Sequence, residues 1–296
     1  RALRDAMHGR YRRMMARARE LGLVVAASFE PESVGGSFAD RLSAWSAAPA
    51  PSGGGEDGLL ADAWQQDWSG SPLAEADVRH PILRDLAVGR ALALLDAYPE
   101  LDELHLISRE GASFRMAGPE AYGEELDRIA RRFGLPPGCL DLGAIGTPVT
   151  VADPIVAANP RTNPYWTVAE GETRHATVAA VLRFLEFARD ILDTPSLAAR
   201  LARDGIRPVV TVYAPDPGTV RLVAPAAARM LPEGQAFHLL ADYGARDITR
   251  GFPGWASLLP KLDVGLVTWL EFDGSMMLAQ DWGDALVENI RTARTL

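Results

Sequence analysis

Leu101-Asp102-Glu103-Leu104-His105-Leu106-Ile107-Ser108-Arg109-Glu110-Gly111 reads as an apolar strand running out into an acid and a glycine. A second stretch repeats the pattern: Val264-Gly265-Leu266-Val267-Thr268-Trp269-Leu270-Glu271-Phe272-Asp273-Gly274. A continuous apolar run of this length suits a strand covered on both faces, as in a parallel sheet flanked by helices. In such a sheet the carboxyl ends of the strands gather at one rim, so acids placed just beyond them converge on a shared cleft. These two stretches therefore predict the fold and suggest the chemistry together.

Working outward, helical periodicity precedes four of the five strands, and a shorter connection through Pro253 and Trp255 leads to the fifth. Leu3, Met7, Tyr11, Met14 and Met15 mark a helix over about residues 1–20, and Gly22 then opens Leu23-Val24-Val25-Ala26-Ala27-Ser28 as a strand. Helices are expected over 82–98, 119–133, 175–204, 218–230 and 280–295, and further strands at Arg207–Tyr213 and Ala236–Asp242. Two excursions rich in Gly, Pro and Ser interrupt this alternation, at about 30–80 and 135–174. The first follows the strand near 23 directly, which is where site-building loops lie in a barrel, and the second follows the helix over 119–133. The fold expected is α/β, a (β/α)8 TIM barrel that is incomplete. Its five strands near 23, 103, 208, 237 and 265 become strands three to seven of about eight. On this reading residues 1–296 are a single barrel domain, cut from a longer protein because the chain opens on Arg1 inside a helical pattern.

Composition narrows the partners. Acids outnumber Lys and Arg by 39 to 30, a net charge of -9, which argues against nucleic acid and anionic membrane surfaces. Lys261 is the only lysine and Cys139 the only cysteine. Schiff-base chemistry thus has one candidate, and an internal disulfide or multi-cysteine metal site has none. No apolar run approaches the roughly 20 residues of a membrane span. Neither GxSxG, nor a P-loop, nor GxGxxG occurs, which removes the main support for serine hydrolases, P-loop NTPases and Rossmann dehydrogenases.

Glu110 is the candidate general acid, since Gly111 lets the backbone turn sharply and project the carboxyl over the rim. The second carboxylate is Glu271, which ends its strand beside Phe272, or else Asp242, which ends Phe237–Ala241 and precedes Tyr243-Gly244. Asp273 shares the parity of Glu271. Each of these acids has a plainer reading, as a solvated loop carboxylate, a cap, or a partner of Arg246 or Arg250. Hydrolysis of a glycoside needs one protonated and one ionised carboxyl near neutral pH, a difference that burial and neighbouring charge create. A gap of about 5 Å between them implies a covalent intermediate, and about 6.5–9.5 Å leaves room for a water.

Tyr165, Trp166, Tyr213, Tyr243 and Trp269 lie in or near rim segments, where aromatic faces pack on sugar rings, although core packing explains any one of them as well. Arg109 offers a bidentate group for a substrate carboxylate. The histidines form no HExxH pair, and His105 and His238 read as hydrogen-bonded strand histidines rather than metal ligands. Neither a metal nor another cofactor is expected.

With these residues in place, the chain resembles the (β/α)8-barrel glycoside hydrolases that carry the acid after strand four and the second carboxylate after strand seven. Ala97-Tyr98-Pro99-Glu100-Leu101 through Ser108 looks like their helix-to-strand approach, continuing into Arg109-Glu110-Gly111, with Arg109 where many members have Asn. A looser similarity is to α-glucuronidase-type barrels, in which Glu110-Gly111, Asp242 and Glu271 would fill the catalytic places. The resemblance implies an oligo- or polysaccharide substrate. Two other readings stay open: a metal-dependent sugar isomerase or epimerase on the same barrel, and a barrel that binds carbohydrate without cleaving it.

Overall fold

The computed structural model describes residues 2–32, 60–66, 72–76, 81–108, 119–136, 172–214, 217–241, 265–268 and 291. In chain order these form α1 (Ala2–Glu20), β1 (Ala26–Phe29), β2 (Leu60–Gln66), β3 (Pro72–Ala76), α2 (Pro81–Ala97), β4 (Glu103–Ile107) and α3 (Pro119–Phe133). They continue through α4 (Glu172–Leu192), α5 (Pro195–Asp204), β5 (Arg207–Ala214), α6 (Pro217–Met230), β6 (Ala236–Ala241) and β7 (Gly265–Thr268). The fold is mixed α/β. Its main sheet has the order β1-β4-β5-β6-β7, and both pairs with a defined register, β1 with β4 and β6 with β7, are parallel.

All five strands expected from the sequence are therefore members of one sheet, and they lie in it in the order in which they occur in the chain. A doubly wound sheet reverses direction at a switch point. No such reversal occurs among these five strands.

The chain divides into two compact units, residues 1–109 with 183–210 and residues 110–182 with 211–296. In the first unit, β1 meets β4 with Ala26 opposite Glu103 and Phe29 opposite Leu106. The carbonyl of Val25 accepts from the amides of both Asp102 (2.8 Å) and Glu103 (3.1 Å), and the Asp102 carbonyl accepts from Arg207 N (2.9 Å). These bonds set the stagger of three strands at their entry ends. Both faces are covered: Leu104, Leu106 and Val210 on one, and Val209 and Thr211 on the other, are wholly buried. Helix α2 contributes Leu83, Ala87, Ala91 and Leu95 at intervals of four, a stripe that lies along one side of a helix. Helix α5 adds Leu197 and Leu201, and Arg200 ties it to α2 by pairing with Asp96 while also holding Asp204.

Sequence periodicity predicts one helix over 175–204, and the structure breaks it in two. Pro195 has no amide to donate and its ring collides with the carbonyl four residues back, so α4 cannot continue and α5 begins with proline at its first turn. Thr194 does not cap α5. Its hydroxyl instead donates back to the Asp190 carbonyl (3.0 Å). Gly205 ends α5 in the left-handed region at φ 66°, while the Ile206 amide reaches the Leu201 carbonyl (3.0 Å), the closing pattern that favours glycine. A second departure from expectation is an antiparallel β2–β3 hairpin inside the first excursion, with Gln65 opposite Leu73.

In the second unit, β6 and β7 run parallel from His238 opposite Gly265 to Ala241 opposite Thr268. Its buried apolar residues include Ile129 on α3, Val178 and Leu182 on α4, and Ala227 and Met230 on α6. No described helix is long and apolar enough to cross a membrane.

Leu106 is wholly buried whereas Val24 is mostly exposed. Leu106→Ala is therefore expected to lower stability in urea unfolding by about 2–5 kcal/mol, and Val24→Ala to stay within about 0.5 kcal/mol.

Candidate functional site

Asp102 and Glu103 open β4, and Arg207 opens β5. Because side chains alternate along a strand, Glu103 and His105 share one face, and the Arg207 amide bond to Asp102 brings Arg207 beside Glu103. The Glu103 carboxylate is engaged at both oxygens. Oε2 meets His105 Nε2 at 2.7 Å, and Oε1 accepts from Arg207 Nε at 3.0 Å and from Arg207 Nη2. Asp102 faces the other way along the same entry: its Oδ2 accepts from the Val25 amide (2.9 Å) and its Oδ1 lies 3.4 Å from Arg19 Nη2.

Burial works against ionisation of Glu103, but the hydrogen bonds from His105 and Arg207 outweigh it, so its carboxyl is held below the usual range. A carboxylate kept charged and saturated in this way is no proton donor at neutral pH. It also stands at the entry ends of the strands, whereas ligands in parallel α/β sheets bind beyond the exit ends. The cluster is thus a positioning device for β4 and β5.

On the exit side, the described part of β4 ends with Ile107 and the buried Ser108; β6 ends at Ala241 and β7 at Thr268. Arg109, Glu110, Tyr165, Trp166, Asp242, Tyr243, Trp269, Glu271 and Asp273 lie outside the described residues. Tyr213 belongs to β5. By sequence, Glu110 and Glu271 each follow the last residue of their strand by three positions, and Asp242 follows β6 directly.

His105 fulfils the expectation of a hydrogen-bonded strand histidine. Its partner Glu103 was missed by sequence reasoning, and so was Arg207. The available signal is the parity of Glu103 with His105 together with an arginine at the same place in a following strand. Among the described residues no group of three or more His, Cys, Asp or Glu could hold a metal ion. No protein-family model, curated protein or solved structure matches the chain.

Glu103→Gln removes the charge that Arg207 and His105 share. Because more than half of the Arg207 side chain is exposed, the expected loss at neutral pH is toward the lower end of about 1–3 kcal/mol. A lowered folded-state pKa contributes stability above the unfolded value of about 4.3 and loses it as pH falls through the folded value. The gap between the parent chain and Glu103→Gln is therefore expected to be constant above about pH 5 and to close in acid. Urea titrations at stepped pH read this directly.

Proposed function

We propose that the chain is part of a (β/α)8-type glycoside hydrolase acting on an oligo- or polysaccharide. Glu110 serves as general acid, and Glu271, or in its place Asp242, as nucleophile or base. Arg109, Tyr165, Trp166, Tyr213, Tyr243, Trp269 and Asp273 form the sugar-binding wall. The supporting observation is the strand order. Five strands follow one another across one sheet in chain order, and the two pairs with a defined register are parallel, as successive strands are in a barrel, where each is added on the same side of the last. Acids that follow β4, β6 and β7 by one to three positions then belong to loops at one rim.

In this mechanism Glu110 protonates the glycosidic oxygen as the bond to the anomeric carbon breaks. The second carboxylate either attacks that carbon or takes a proton from the attacking water. The two groups need different environments, one that disfavours charge and one that tolerates it.

Glu110→Gln is expected to cut turnover of substrates with poor leaving groups by about 10²–10⁴ while sparing activated aryl glycosides, which need little protonation. Equal loss on both would remove the acid role from Glu110. Turnover is also expected to survive exhaustive chelation, an outcome that a metal-dependent isomerase would not give. A broad glycan panel showing affinity without turnover would replace the proposal with a binding role.

A further inference from the structure

β1 leaves the sheet through Phe29-Glu30-Pro31, and helix α2 fixes this exit at two points. The Arg90 guanidinium lies over the Phe29 ring, 5.2 Å from its centroid, and Arg90 Nη1 donates to the Glu30 carbonyl (3.2 Å). Pro31, which follows, is buried. A proline restricts the residue before it to extended backbone, so the alternation of β1 continues through Glu30. Ala27 and Phe29 stand opposite Leu104 and Leu106, on the side where Arg90 meets Phe29. Ala26 and Ser28 stand opposite Glu103 and His105, on the other side. Glu30 belongs to that second side and is half-buried.

Glu30 thus differs from the acids of the entry cluster. It lies at the opposite end of the sheet, at the rim beyond which parallel α/β sheets bind their ligands. The strand that pairs with β1 at this rim is β4, whose sequence runs on into Arg109 and Glu110. Arg90 holds the backbone of Glu30 in place there through the ring before it and the carbonyl of Glu30 itself. A side chain that is to meet a ligand needs such support from its surroundings.

We propose that Glu30 is a further substrate-binding residue, a carboxylate that accepts hydrogen bonds from two adjacent hydroxyls of a neutral sugar ring, with Arg90 as its positioning residue. This rests on the glycosidase reading, in which β1 is strand three and Glu30 borders the strand leading to Glu110. A carboxylate has about four lone-pair sites, so it can take two hydroxyls beside a donor from the protein. Hydrogen bonds to a charged acceptor are about twice as strong as neutral ones, and the spacing of the two oxygens selects hydroxyls on neighbouring carbons. A uronic acid would bring a second carboxylate to the same place and be repelled. The substrate class is therefore a glycan whose ring at this position is neutral.

Turnover and affinity of the 296-residue chain, measured side by side on neutral oligosaccharides and matched uronates, test this. The parent is expected to favour the neutral series by about tenfold or more in kcat/KM. Glu30→Gln should raise KM for neutral substrates by about tenfold and leave kcat within about threefold, the signature of binding shared by ground and transition states. Glu30→Asp, which keeps the charge one methylene short, should fall between the two. Arg90→Met should raise KM by about threefold, with Arg90→Lys recovering part of the loss. Arg84→Gln, on the same helix, should change nothing. Turnover whose KM neither Glu30 variant raises, or a parent that favours uronates, overturns this inference and leaves the glycosidase reading standing. Absence of turnover overturns the glycosidase reading, and affinity then decides for Glu30: neutral-sugar binding weakened in Glu30→Gln supports its role, and binding that is unchanged or undetectable in the parent overturns it.

Discussion

The first unit depends on how three strands begin. The Val25 carbonyl takes two amides from the start of β4, and the next carbonyl along, that of Asp102, takes the first amide of β5. Side chains reinforce the same junction: Asp102 returns a bond to the Val25 amide, and Glu103 grips Arg207. A one-residue slip in a parallel sheet would exchange Leu104 and Leu106 with Glu103 and His105 between the two faces. Charged groups at the strand entries thus fix which residues become core. Glu103 is buried while more than half of Arg207 is exposed, so the pair contributes little net stability, but a wrong register would leave the buried carboxylate without its partner.

Above this junction the strands of the first unit divide their labour along their length. The entries of β4 and β5 carry the acids and the arginine, their middles are mostly Leu and Val, and the sequence beyond the exits of β4, β6 and β7 carries acids again. Loops beyond strand exits can vary without disturbing the core, which suits them to substrate contact. The entry cluster, by contrast, is tied into backbone pairing and holds its carboxylate ionised at neutral pH. Two sets of acids thus have opposite duties in this reading: one keeps the scaffold in register and the other is left to chemistry.

Much of the fold was legible because it is written in local periodicity. The apolar runs at 103–107, 207–214 and 236–241 gave their strands within a residue or two, and α2 showed itself through intervals of three and four. The α4–α5 break was not read, although Pro195 marks it, because apolar spacing continues across the proline and outweighed a single breaker. The β2–β3 hairpin escaped for a different reason. Leu60–Gln66 mixes small, acidic and amide residues, so it lacks the β-branched alternation that identifies a strand without tertiary context. At the candidate site, the histidine's character was read correctly, but its partner lies on its own strand and the arginine on another, more than a hundred residues away. Contacts of that kind depend on register, which only the assembled sheet defines.

The long insertion between β1 and β4 has a consequence for how the chain reaches this state. Val25 and Asp102 are 77 positions apart, whereas His238 and Gly265, opposite each other on β6 and β7, are separated by 27. Closing the longer loop costs about 1 kcal/mol more chain entropy, and that cost falls before any contact across the junction is made. The assembly front is therefore set by geometry rather than by strand chemistry. By the same measure the β6–β7 pair closes at the least cost, and the β4–β5 junction, 105 positions across from Asp102 to Arg207, closes at the greatest.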